Sequence, residues 1–117
     1  MPKSTDQEKE ERETVLQEAL KGATETPMKV ARACVNLLRI VCELAPIGNK
    51  MAISDAGVAA YLGEASLRAV LLNVDINIPS IKDEEYVKNV ILERDNLIAE
   101  GHALKEKALP VVMERMK

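Results

Sequence analysis

Residues 54–77 read SDAGVAAYLGEASLRAVLLNVDIN and decide the fold. Wound as a helix, this stretch places apolar side chains on nearly every side, which is typical of a helix that other helices surround. Ser54 and Asp55 supply side-chain oxygens that accept hydrogen bonds from the free amides of a first helical turn. We therefore predict a central helix that starts at this pair. Its small residues permit close backbone approach: Gly57, Ala60, Gly63 and Ala65.

A strand over residues 70–78 is the alternative for the end of this stretch, because β-branched residues favour strands. Pro79 follows directly, and a proline is poorly tolerated within a sheet. The chain has no other strand-like run. A helix is the better prediction.

Three further helices are predicted from start and stop signals. Thr5 and Glu8 form a capping box at the start of the first helix. The proline that follows Thr26 suits the first turn of a second helix. Ser80 and Asp83 have the same three-residue spacing and predict the start of a further helix. The expected helices run from Thr5 to residues 22–24, from Thr26 towards Pro46, and from Ser80 towards Pro110, with Gly101 and Pro110 as possible kinks or an early end.

Composition agrees with an all-α fold. Aromatic residues make up 2% of the 117 residues, without Phe or Trp, so Leu, Ile, Val, Ala and Met fill the core. We expect one helical domain over residues 1–117, an antiparallel bundle of four or more helices. Two helices need burial on most sides in so short a chain, so we expect oligomerisation, a missing segment, or both to complete the bundle.

Charge and hydropathy argue against two classes of partner. The net charge is −3 without a basic stripe, and two tyrosines are too few for base stacking, so no nucleic acid is expected. The most apolar stretch, residues 58–73, contains Glu64 and Arg68, so no membrane partner is expected. The polar start of the chain is no secretory signal. We expect a cytoplasmic protein.

Common catalytic and metal motifs are missing from the sequence. His102 is the only histidine, so no metal site is predicted. Cys34 and Cys42 lie more than two turns apart on one helix, too far for a disulfide, in an apolar context that favours an unreactive thiol. No group is predicted as catalytic from motifs alone.

Small polar residues flank the central helix and are the candidate binding groups. One interpretation is structural: they cap and terminate the helix through backbone hydrogen bonds. The other is a polar cleft, in which amides donate and accept while a carboxylate stabilises a cation. Asn73 and Asn77 share a face if the helix persists, which leaves Asp75 the more exposed. The candidates are Asn49, Ser54, Asp55, Asn73 and Asn77.

Six blocks, in order and spacing, resemble the C-terminal part of the formiminotransferase-cyclodeaminase family. The blocks are MPKST (1–5), EKEER (8–12), ATETP (23–27), GNKMAISDAGVAA (48–60), NVDIN (73–77) and IKDEE (81–85). The fourth and fifth blocks are the most specific. Members similar to this chain carry a glycine-rich segment and an aspartate-bearing catalytic stretch before the position of Met1, so the resemblance implies the C-terminal portion only.

The resemblance implies an activity in one-carbon folate metabolism. The expected reaction is that of a formiminotetrahydrofolate cyclodeaminase or a methenyltetrahydrofolate cyclohydrolase. It also implies a tetrahydrofolate derivative as substrate, no tightly bound cofactor, and a homodimer or higher oligomer whose helical interface holds the folate. The five candidate residues would line that cleft as positioning and electrostatic groups. A non-catalytic helical oligomerisation module, or a truncated fragment, is the alternative.

Overall fold

The computed structural model describes residues 5–117 and contains three long helices. They are α1 (Asp6–Leu44), α2 (Ile53–Asn77) and α3 (Glu84–Arg115), joined by the short 3-10 turns Lys50–Ala52 and Ile78–Ser80. No strand occurs among these residues, so the all-α prediction is confirmed and residues 70–78 are not a strand.

The predicted break between the first two helices is wrong, because α1 continues through Pro27. An interior proline costs a backbone hydrogen bond, but here Pro27 is buried together with Thr24 and Met28. An apolar stripe with 3.5-residue spacing runs across the proline without interruption, and its burial favours a continuous helix. The buried members of the stripe are Thr24, Met28, Ala31, Val35, Leu38 and Val41. The four predicted helices are therefore three.

The last helix also continues through its predicted break points, since α3 passes Gly101 and Pro110 and ends at Arg115. The predicted cap of α1 is confirmed, since Thr5 Oγ1 accepts from the Glu8 amide at 3.1 Å. The predicted start of the last helix at Ser80 is wrong, because Ser80 ends a 3-10 turn and Asp83 is the N-cap of α3, with its Oδ1 accepting from the Tyr86 amide at 3.1 Å.

Side-chain contacts show that α1 and α3 run parallel, with α2 antiparallel to both. The contacts join residues of α1 to residues about 61–65 positions later along most of the two helices. Arg32 binds both carboxylate oxygens of Glu93 at 2.7 and 2.8 Å, and Arg39 binds Glu100 at 2.6 Å. These ion pairs are 40–50% exposed, so they align the helices more than they stabilise them.

The three helices form a flat layer with a thin core. Its extents are 72 × 25 × 16 Å and its radius of gyration is 19.9 Å, against about 13 Å for a compact domain of this length. The core lies along the seam where all three helices meet. Its fully buried large side chains are Met28, Val35, Leu38, Leu67 and Val74.

Candidate functional site

The start of α2 is built differently from the sequence prediction. Ser54 and Asp55 do not cap the helix: its N-cap residue is Ala52, which makes no side-chain cap. The capping group lies upstream, where Asn49 Oδ1 accepts from the Met51 amide at 2.9 Å and opens a 3-10 turn. That turn leads directly into α2, so Ser54 and Asp55 lie exposed in its first turn.

An apolar groove of about 350 Å³ lies beside this turn, between the C-terminal half of α1 and the N-terminal half of α2. Asn49 and Asp55 are the polar side chains that line it, and Asp55 also gains from the positive end of the α2 dipole. The apolar lining consists of Leu37, Ile40, Val41, Leu44, Ala52, Ile53, Ala56 and Ala59.

Arg115 fixes the connection that forms one end of the groove. From the last turn of α3, its guanidinium donates to the Ala45 carbonyl and to the Gly48 carbonyl, each at 2.6 Å. Planar guanidinium groups hold two acceptors in a fixed geometry. The position of Asn49, one residue after Gly48, therefore depends on the far end of the chain.

The other two candidates lie at the opposite end of α2. Helix α2 persists to Asn77, so Asn73 and Asn77 do share a face as expected. Eighteen residues of helix separate Asp55 from Asn73, a rise of about 27 Å. One chain therefore brings Asn49 and Asp55 to the same groove, leaves Ser54 outside its lining, and keeps Asn73 and Asn77 remote from it. Asp75 is not a free surface acid, because Arg94 binds it at 2.6 Å.

A second polar cluster lies midway along α2, where Glu64 has a side chain only 9% exposed. Its Oε1 lies 3.0 Å from Arg68 Nε and 3.6 Å from His102 Nδ1, and its Oε2 lies 2.8 Å from Lys105 Nζ. The contact between Lys105 Nζ and Glu64 Oε2 is an ion pair whose geometry does not meet that of a hydrogen bond. Burial raises the pKa of the Glu64 carboxyl, and its basic neighbours outweigh burial, so the pKa lies below its ordinary value.

The two cysteines are half-buried and unpaired. Burial raises the pKa of both thiols, which keeps them protonated near neutral pH. Within residues 5–117, no group of three or more His, Cys, Asp or Glu side chains is arranged to hold a metal ion. No helix in that range has the length and apolar character needed to cross a membrane.

Sequence reasoning missed the apolar wall of the groove, Arg115 and the neighbours of Glu64. The wall had a signal, because residues 35–45 are apolar on two faces of a helix. Glu64 and Arg68 show the i, i+4 spacing of a helical ion pair. Arg115 had no local signal, since its acceptors lie about 70 residues away.

The fold and the groove define a class: an all-α protein with an apolar groove lined by one amide and one carboxylate side chain. Comparison with known proteins gives the family. Residues 1–96 match the formiminotransferase-cyclodeaminase family, and the chain belongs to it.

Individual relatives agree with this assignment. The chain is 37% identical to the methenyltetrahydrofolate cyclohydrolase of Methylorubrum extorquens over 116 residues, which is 99% of the chain and 56% of that protein. It is 32% identical over 101 residues to the formimidoyltransferase-cyclodeaminase of Rattus norvegicus, and 38% identical over 86 residues to that of Gallus gallus. These matches cover 86% and 74% of the chain and 19% and 16% of the two relatives. The chain spans about half of the bacterial relative.

Proposed function

We propose that this chain binds a tetrahydrofolate derivative in the groove at the start of α2 and serves one-carbon folate metabolism. The reaction would be that of a cyclodeaminase or a cyclohydrolase, the two activities that the names of its relatives give. The observation that carries the proposal is the groove itself: an apolar cavity of about 350 Å³ whose polar lining groups, Asn49 and Asp55, belong to the most family-specific block of the sequence.

The chemistry of the substrate suits these groups. Formimino- and methenyl-tetrahydrofolate carry a carbon between two nitrogens that shares a positive charge. A carboxylate near that carbon stabilises the charge, and an amide orients the ring by donating and accepting hydrogen bonds. Asp55 would supply the first effect. Asn49 would supply the second through Nδ2, since its Oδ1 is used by the Met51 amide. Ser54, exposed next to Asp55 but outside the lining of the groove, would add a hydroxyl near it.

These residues bind and orient; none of them is proposed as the general acid or base. Either reaction also needs a group that protonates the departing amine or activates water. Lys50 is exposed next to Asn49 and would meet the carboxylates of the glutamyl tail. We further propose that residues 1–117 act as a single helical domain in a cytoplasmic homodimer or higher oligomer.

Binding of methenyltetrahydrofolate to the wild-type chain and to Asp55→Ala tests the proposal, with turnover of methenyl- and formimino-tetrahydrofolate followed in parallel. We expect the Kd to rise at least about tenfold, because a charge-assisted contact contributes about 1.5–3 kcal/mol. Asp6→Ala is the matched control, since Asp6 is an acid in the first turn of α1, far from the groove. Unchanged binding by Asp55→Ala with helicity retained would contradict the proposal.

The alternative function is a non-catalytic helical oligomerisation module. Exposed apolar side chains on α2 favour it, among them Leu62 and Leu72 at 61% and 66% exposure. Assembly of the wild-type chain without any binding of methenyltetrahydrofolate would support this alternative.

A further inference from the structure

The polar cluster around Glu64 lies on a different side of α2 from the groove. Glu64 follows Asp55 by nine positions, which is about two and a half helical turns and about 14 Å of rise. The two acids therefore lie on opposite sides of the helix: Asp55 lines the groove beside α1, and Glu64 contacts Lys105 of α3. A ligand held by the Glu64 cluster would occupy a site separate from the groove.

One oxygen of Glu64 holds the inner nitrogens of two basic side chains. Its Oε1 accepts from Arg68 Nε at 3.0 Å and lies 3.6 Å from Nδ1 of His102. The guanidinium keeps its outer groups Nη1 and Nη2, and the imidazole keeps Nε2. None of these outer nitrogens donates a hydrogen bond within residues 5–117. The carboxylate thus orients two side chains and leaves their outer nitrogens for another partner.

The two side chains lie level with each other at the surface. Arg68 is four positions beyond Glu64 on α2, and His102 is three positions before Lys105 on α3. Because Glu64 pairs with Lys105 and the two helices run antiparallel, both steps go the same way, about 6 and 4.5 Å along the axis. The side chains of Arg68 and His102 are 55% and 53% exposed, above a Glu64 side chain that is 9% exposed.

The acids of the cluster lie away from these outer nitrogens. Glu64 is buried below them, and its basic neighbours hold its pKa below the ordinary value, so it stays ionised and keeps its hold on both side chains. Glu106 lies 3.6 Å from Lys105, at the other end of the cluster. Within residues 5–117, no carboxylate other than Glu64 pairs with Arg68 or His102. This edge therefore presents donors without a competing acceptor.

We propose that Arg68 and His102 form an oxyanion site on the α2–α3 face, with Glu64 as the residue that positions both. The ligand group is a phosphate monoester or a carboxylate, because two oxygens of either match the parallel N–H groups of a guanidinium. His102 donates to the same group through Nε2 when the imidazole carries its second proton. The site does not rest on the proposed function, since it shares no residue with the groove.

The single histidine of the chain makes the test direct. Proton NMR of the full chain gives one imidazole Cε1–H signal, which is followed at about pH 6, where an ordinary imidazole is mostly charged. Inorganic phosphate is added at constant pH and ionic strength, and sodium acetate is added in a second series. We expect a saturable shift with a Kd of about 1 mM, the affinity that a few charge-assisted contacts give.

The two series distinguish the sources of the oxyanion. Tighter binding of phosphate would identify a phosphorylated ligand, and tighter binding of acetate would identify a carboxylate; either supports the site. Saturation by neither anion would overturn it. An equal shift on addition of sodium chloride alone would also overturn it, because charge screening acts without a site.

Substitution of Arg68 tests the two-point contact. Arg68→Ala is expected to raise the Kd of the tighter anion at least about tenfold, the loss of one charge-assisted contact. Arg39→Ala is the matched control and should leave the Kd unchanged, since Arg39 is 50% exposed and pairs with Glu100 between α1 and α3. Arg68→Lys should raise the Kd at least about threefold, because an ammonium group lacks the fork. Wild-type affinity in Arg68→Lys, or an equal loss in Arg39→Ala, would indicate diffuse attraction and overturn the site.

Glu64→Gln tests the positioning role, with circular dichroism confirming that the helices are retained. We expect the Kd of the anion to rise at least about threefold, because a neutral amide holds Arg68 more weakly and gives less support to a charged imidazole. Removing an acid that merely repelled the anion would instead tighten binding, as Glu106→Gln is expected to do slightly. Unchanged or tighter binding in Glu64→Gln would overturn the positioning role.

Discussion

Gly101 in α3 lies so close to Leu67 in α2 that a Cβ at position 101 would stand 2.4 Å from Leu67 Cδ2. Leu67 is fully buried, and Leu38 of α1 lies on its other side, 3.5 Å from the same point. The three helices thus meet where one residue has no side chain. The contact explains a glycine in the middle of α3, where it lowers the intrinsic stability of the helix.

Gly101→Ala is expected to destabilise the chain by up to about 2 kcal/mol, because overpacking of a tight core costs about 1–3 kcal/mol against a gain of about 1 kcal/mol in helix propensity. Urea unfolding followed by circular dichroism measures this. Gly22→Ala is the matched control: nothing lies within 4 Å of a Cβ there, so the same substitution is expected to stabilise by about 0.5–1 kcal/mol. Equal effects at the two positions would refute the packing argument.

The sequence allowed the helices to be predicted, but not all of their boundaries. The apolar patterns predicted α2 and α3, and local capping predicted the start of α1 at Thr5 but placed the start of α3 at Ser80, three residues before its N-cap Asp83. The break at Pro27 was predicted from a local rule, whereas the actual helix follows the apolar stripe on both sides of the proline. Tertiary burial outweighed the cost of the proline. Only the unbroken spacing of the stripe could have indicated this.

Glu64→Gln is expected to cost about 1–3 kcal/mol of unfolding free energy. The substitution leaves Lys105, 17% exposed, with only the more distant Glu106 as a charged partner and removes the charge that Arg68 contacts. The partial exposure of Arg68 and His102 keeps the loss below that of a fully buried pair. Glu106→Gln is the control, since Glu106 is 59% exposed and lies 3.6 Å from the same Lys105, and it should cost less than about 0.5 kcal/mol.

The same carboxyl predicts a pH dependence. The basic neighbours hold the pKa of Glu64 below its ordinary value in spite of burial. The ionised carboxylate therefore contributes fully to the free energy of unfolding when the pH lies above that ordinary pKa. This contribution is lost as the pH falls through the lowered pKa of the folded chain. The stability difference between wild type and Glu64→Gln should therefore shrink from about pH 7 to about pH 3. A difference that grows with acidity would contradict the assignment.

The candidate site was harder to predict than the fold. Asn49 and Asp55 were found as polar residues near a helix start, and the structure places both at one groove. Asn73 and Asn77 have the same residue chemistry but lie at the other end of α2, since a helix converts sequence separation into distance. The role of Arg115 could not be predicted either, because its acceptors, the Ala45 and Gly48 carbonyls, are set by the packing of α3 against the α1–α2 connection.

Arg115→Ala is expected to weaken both folding and binding at the groove. The substitution removes two charge-assisted hydrogen bonds and leaves the carbonyls of Ala45, which is buried, and Gly48 without their donor, a loss of about 1–3 kcal/mol. Lys117→Ala is the control, since Lys117 is 77% exposed and pairs with Glu114 at the surface. The stability loss is measured by urea unfolding.

Because Asn49 follows Gly48 directly, the Kd for methenyltetrahydrofolate should also rise in Arg115→Ala under conditions where the variant is fully folded, while Lys117→Ala leaves it unchanged. Arg115→Lys should recover only part of either effect, because an ammonium group cannot hold both carbonyls in the planar geometry of the guanidinium. Full recovery by lysine would show that the charge matters and the two-point geometry does not.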